Sequence, residues 1–132
     1  MIVPVYEGSG KSQIIFRLKD HYQRLINSAR IYNFSNPYTV EELIEATIEV
    51  VKRNELNACY IRPLLYDPGV AFQFGNEMDC IIAAVPTKPL EDATKGISCK
   101  VSSWARIDRR NMPLLAKCTG NYANIFLPGS VS

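Results

Sequence analysis

At 132 residues and 47% hydrophobic content the chain is large enough to bury a core, and its 15 basic and 13 acidic side chains leave a net charge of only +2. That balance excludes recognition of a polyanion through bulk charge, so neither nucleic acid nor a membrane is an expected partner. No apolar run approaches bilayer length, and residues 1–7 lack a basic segment followed by an extended apolar one, which reads as a cytoplasmic protein.

Near the N-terminus, Gly8 to Lys11 reads as a turn leading into a short β-branched and aromatic strand, residues 13–18. The Gly-x-Gly-Lys-Ser sequence superficially suggests a phosphate loop. It lacks the first glycine at the required spacing and opens a strand instead of a helix, so a hairpin turn is the expectation. From Asp20 to Tyr32, Tyr22, Leu25, Ile26 and Ala29 recur at helical spacing, with Arg24 and Arg30 on the solvent side.

After the break at Ser35 to Pro37, Thr39 with Glu42 three residues later forms a capping box. A second helix then runs to about Asn54, with Val40, Leu43, Ile44, Thr47, Ile48 and Val51 along one face. Its acidic residues gather at the N-terminal end and Lys52 and Arg53 at the other, matching the helix dipole. Residues 57–66 read as a strand in which Pro63 marks an edge or a bulge. Residues 67–76 read as an ordered loop containing Phe72, and residues 78–85 as a near-continuous apolar strand. Two prolines, charges and Gly96 make residues 86–96 a connector. Residues 97–102 alternate as a half-buried strand, and Pro113 suits the first turn of a helix.

Zinc-type spacing is absent: Cys59, Cys80, Cys99 and Cys118 lie singly in separate segments, and His21 is the only histidine, so no metal is expected. Free thiols packing as small hydrophobes are the expectation for the cysteines. Lys117 stands between the apolar residues 112–116 and a Gly-Asn-Tyr turn. A lysine against an apolar face loses solvation, which favours the neutral amine that attacks a carbonyl; the alternative is a stem lying along a surface with its ammonium in water.

Four blocks, in order, widen that reading: Ile-Ile-Phe-Arg-Leu at 14–18 followed by an amphipathic helix, Ala-Cys-Tyr-Ile-Arg-Pro-Leu at 58–64, Val-Ser-Ser-Trp at 101–104, and Ala-Lys-Cys-Thr-Gly-Asn-Tyr at 116–122. Together they resemble the fold-type IV pyridoxal-phosphate enzymes, above all the branched-chain amino acid aminotransferases of branched-chain amino acid biosynthesis. The resemblance runs from about residue 13 to about residue 125. It implies an α+β fold, a small antiparallel sheet packed by two helices, followed by the start of a larger cofactor domain. The corresponding division is 1–86 as an incomplete small domain, 87–95 as connector and 96–132 as a truncated start of the cofactor-binding domain.

The resemblance also implies chemistry. Lys117 matches the lysine that holds pyridoxal 5'-phosphate as a Schiff base and shuttles the substrate proton. Arg17 matches the arginine on the cofactor phosphate, and Tyr122 the tyrosine on its phenolic oxygen. Tyr60 and Arg62 match substrate-recognition positions, Arg62 suiting the carboxylate of glutamate or 2-oxoglutarate. Trp104 and Phe72 either line the pocket or pack. The implied reaction is amino transfer between leucine, isoleucine or valine and 2-oxoglutarate in a homo-oligomeric parent, with little turnover by these residues alone. A D-amino acid aminotransferase, an aminodeoxychorismate lyase and a non-enzymatic interaction module are the alternatives.

Overall fold

The computed structural model describes residues 2–9, 12–69, 77–86, 96, 101, 103–105 and 107–126. The chain divides into two compact units, Met1–Thr87 and Lys88–Ser132.

The first unit begins with a hairpin. Strand β1 (Val3–Glu7) pairs antiparallel with β2 (Gln13–Ile15), Tyr6 opposite Ile14. Gly8 sits where the chain doubles back, and a Cβ there would meet Ser12 Oγ at 2.5 Å. Part of the turn expected over residues 8–11 lies outside the described residues, and the Gly8 N–H donates across it to the Ser12 carbonyl at 2.9 Å. β1 itself is not marked in the sequence, because Val3, Val5 and the intervening Pro4 look like any short N-terminal run.

Helix α1 (Leu18–Ile31) starts two residues earlier than periodicity suggests, immediately after Arg17, whose backbone is left-handed (φ 48). It ends in a Schellman motif. Asn33 is left-handed at φ 58, its N–H donates to the Arg30 carbonyl and that of Phe34 to the Ala29 carbonyl. Helix α2 (Val40–Arg53) carries the anticipated capping box: the Glu42 N–H donates to Thr39 Oγ1 at 3.2 Å, and the Thr39 N–H to Glu42 Oε2 at 2.7 Å. The Thr39 N–H, and after it the Thr39 hydroxyl, which donates to Glu42 Oε2 at 2.8 Å, hold the Glu42 carboxyl below its usual range.

β3 (Cys59–Tyr66) lies between β1 and β4 (Asp79–Pro86), giving the sheet order β2-β1-β3-β4 with every pair antiparallel. Its register against β4 is unbroken from Cys59↔Pro86 to Tyr66↔Asp79, so Pro63 marks no bulge there. Pairing with β1 ends at Ile61 among the described residues.

Val3, Val5, Cys59 and Ile61 from one sheet face meet Leu18, Tyr22, Leu25 and Ile26 of α1 and Val40, Leu43 and Val51 of α2. Burying each large apolar side chain contributes about 1.5–3 kcal/mol. Between the helices, Tyr22 and Thr47, both fully buried, share a hydrogen bond through their hydroxyls, and Thr47 Oγ1 donates to the Leu43 carbonyl at 2.8 Å. Burial pushes the Tyr22 phenol up to about 12.

Two expectations change in the second unit. Residues 109–116 are turns, so Pro113 opens no helix, and a 3₁₀-helix, Thr119–Phe126, follows Lys117. The Phe72 position, most of the connector and all but residue 101 of the strand expected over 97–102 fall outside the described residues. No helix among the described residues is long and apolar enough to cross a membrane.

Candidate functional site

Alternation along β3 sends Cys59, Ile61 and Pro63 into the core and Tyr60, Arg62 and Leu64 to the opposite face. Tyr60 is partly buried and Arg62 exposed. Register adds their neighbours on that face: Val85 opposite Tyr60, Ala83 opposite Arg62 and Ile81 opposite Leu64. Tyr6 and Ile14 extend the same face onto β1 and β2. Tyr6, Ile14, Leu64, Ile81 and Val85 all remain exposed. Among the described residues this face of the sheet is aromatic and aliphatic, with the Arg62 guanidinium set into it and the Asp79 carboxylate at its end, where it accepts from Tyr66 Oη at 3.4 Å. Tyr6 belongs to this surface, and sequence reasoning misses it because it misses the strand that carries it.

Arg17 stands where β2 gives way to α1. Its Nε donates to Asp20 Oδ2 at 2.6 Å, three residues on, with both side chains exposed. A non-glycine residue in the left-handed region is uncommon, and the pairing with Asp20 fixes one edge of the guanidinium while the Nη edge lies beyond it. His21, next in line, is held below its ordinary value first by burial and then by Arg24.

Lys117 and Tyr122 meet in the second unit. The first turn of the 3₁₀-helix returns the chain so that Lys117 Nζ donates to Tyr122 Oη and lies 4.5 Å from the centre of its ring. Lys117 is partly buried and Ala116 fully so, but Leu114 and Leu115 are exposed. The apolar wall expected around the lysine is therefore not built by its leucine neighbours, and the phenol is one of the groups that hold it. Asn121 Nδ2 closes the same loop by donating to the Ala116 carbonyl at 2.7 Å. Trp104 is exposed.

Cys59, Cys80 and Cys118 are in no disulfide, and burial raises the first two above the ordinary thiol value, which makes them poor nucleophiles. The candidate residues thus offer one amine held against a phenol, Lys117, and two arginines at the surface of the sheet unit, Arg17 and Arg62. A primary amine in a fixed place can condense with an aldehyde; guanidinium forks pair phosphate or carboxylate oxygens.

Residues 5–129 match the family described as amino-transferase class IV. The branched-chain-amino-acid aminotransferase of Escherichia coli (strain K12) is 39% identical over 138 residues, covering 96% of this chain and 45% of that protein. Among solved structures, the branched-chain aminotransferase of Thermoproteus uzoniensis with norvaline is similar at a TM-score of 0.85 and 35% identity, covering 96% of this chain and 43% of that one. The branched-chain amino acid aminotransferase of Thermobaculum terrenum, in its PLP-bound holo-form, is similar at a TM-score of 0.77 and 28% identity, covering 93% and 42%. The chain spans less than half the length of these relatives.

Proposed function

The chain belongs to the class IV amino-transferase family, and on that premise we propose that its parent protein is a pyridoxal-phosphate-dependent branched-chain amino acid aminotransferase. It moves the amino group between leucine, isoleucine or valine and 2-oxoglutarate. The observation that carries the reading is Lys117 Nζ seated on Tyr122 Oη, in a chain 39% identical to a branched-chain aminotransferase. On this reading residues 1–86 are the small domain, 87–95 the connector and 96–132 the start of the cofactor domain. The protein works in the cytoplasm, where Cys59, Cys80 and Cys118 stay reduced. It is a homo-oligomer, in keeping with the exposed aliphatic face of its sheet.

Taken one by one, the donors suit the cofactor's groups. Lys117 offers the amine, Tyr122 a hydroxyl for a phenolic oxygen, and Arg17 a guanidinium whose Nε is taken by Asp20, leaving the Nη edge to pair phosphate oxygens. Pyridoxal phosphate supplies an aldehyde and a ring that withdraws electrons from the substrate Cα. Lys117 Nζ would hold the proton exchanged at the substrate Cα, so the rate would depend on where its amine is held. Tyr122 holds it there. Arg62 pairs the distal carboxylate of glutamate or 2-oxoglutarate, while Tyr60, Leu64, Ile81 and Val85 on the same sheet face accept a branched aliphatic side chain. One surface thereby serves both substrates.

The test is reductive labelling with pyridoxal phosphate, followed by turnover of the full-length protein with leucine, D-alanine and aminodeoxychorismate. Lys117 labelled well above Lys19 and Lys52, with leucine as preferred donor, is the expected result. Preference for D-alanine or aminodeoxychorismate would reassign the reaction within the fold, and uniform labelling with no turnover would leave an interaction module.

A further inference from the structure

The loop that carries Lys117 is closed by Asn121, which is 8% exposed. Its Nδ2 donates at 2.7 Å to the Ala116 carbonyl, five positions back. A carbonyl can only accept, so the orientation of the amide is fixed: Nδ2 faces Ala116 and Oδ1 faces away. Oδ1 is buried and accepts no hydrogen bond among the described residues. An amide buried with one end unsatisfied is costly, and an aliphatic side chain of similar size would fill the space without that cost. The Nδ2 bond is what the amide contributes in return.

Ala116 is the residue before Lys117, and Asn121 the residue before Tyr122. Tying these two positions together sets the reach across which Lys117 Nζ finds Tyr122 Oη. Met112 supports the far side of the loop, its Cε lying 2.8 Å from where a Cβ on Gly120 would stand. We propose that Asn121 is a positioning residue, whose side chain fixes the 116–122 loop so that the Lys117 amine is presented at the Tyr122 hydroxyl. The inference rests on the reading of Lys117 as the amine that takes pyridoxal phosphate.

The experiment treats the full chain with pyridoxal phosphate. Amine and aldehyde condense with loss of water, borohydride adds hydride to the resulting C=N bond, and peptide mass spectrometry gives the ratio of label on Lys117 to that on Lys19 and Lys52. Asn121→Ala removes the bond. Asn121→Asp keeps the shape but sets a second oxygen, which at neutral pH cannot donate, against the Ala116 carbonyl. Both variants are expected to lower the ratio about fivefold, the factor that one neutral hydrogen bond carries. The loss should lie in the rate at which Lys117 is labelled and not in the rates for Lys19 and Lys52, while Trp104 emission, which reports the second unit, stays unchanged. A wild-type ratio and Lys117 labelling rate in Asn121→Asp would overturn the inference and leave the Lys117 reading intact. No preference for Lys117 in the wild-type chain would overturn both.

Discussion

Replacing Thr47 by valine is the sharpest test of how the two helices are joined. Thr47 Oγ1 donates to the Leu43 carbonyl, so in its bond with Tyr22 it accepts and the phenol donates. Both residues are 0% exposed. Valine preserves the branched shape but leaves the Tyr22 O–H buried without an acceptor, a cost of about 1–3 kcal/mol. Tyr22→Phe removes the donor and leaves Thr47 still bonded to Leu43, a loss of about 0.5–1.5 kcal/mol. In the double variant no polar group is orphaned, so its loss should fall below the sum of the single losses by about 1 kcal/mol or more. Denaturant titration followed by far-ultraviolet circular dichroism suits the measurement because α1 and α2 both lie in the first unit, and each kcal/mol moves the thermal midpoint of a unit this size by roughly 4–8 °C. Additive losses, or a valine variant no worse than the phenylalanine one, would refute the assigned donor and acceptor.

Glu55 is left-handed at φ 51 just past α2, a conformation costing an L-residue about 1–2 kcal/mol. Glu55→Gly should therefore stabilise the chain by roughly 0.5–1 kcal/mol after the added freedom of the unfolded glycine is counted, as read by the denaturation midpoint. Glu42 has a folded value below its ordinary 4.5, so its contribution is present above that value and fades as pH falls through the lower folded one. Glu42→Gln, which keeps the cap geometry without the charge, should reduce the loss of stability on acidification, measured by melts across that range. Tyr22 works in the opposite direction. With its folded value near 12 against an ordinary 10, its contribution is complete below 10 and lost as pH rises through 12, and tyrosinate absorbance should show one tyrosine titrating late. In the full-length enzyme, Arg62→Ala should raise KM for 2-oxoglutarate at least about tenfold, the scale of one charge-assisted pair, while KM for leucine changes little. Equal effects on both substrates would remove Arg62 from carboxylate recognition.

Much of this protein is written locally. Helix α2 is legible because its signals are short-range: Thr39 and Glu42 cap it, acids and bases sit at the matching ends, and the buried Val40, Leu43, Thr47 and Val51 recur with the helical period. Alternation alone assigns Tyr60 and Arg62 to one strand face, and the last of the four sequence blocks sets Lys117 and Tyr122 near one another in the chain. Other features depend on contacts that no local pattern encodes. β1 is a strand because β2 and β3 complete its ladders on either side. Tyr6 gains its place on the aliphatic face only through that pairing. Pro63 sits in an unbroken register against β4 without a bulge, and Pro113 opens no helix because the chain there turns instead. Lys117 rests on a phenol where a leucine wall was expected, and Asn121 governs that loop through a bond to a backbone carbonyl. The sequence by itself determined the elements whose stability is set within a few residues; tertiary structure decided strand neighbours, open edges and side-chain partners, because their energies come from groups distant in the chain or from a backbone conformation that residue type alone does not dictate.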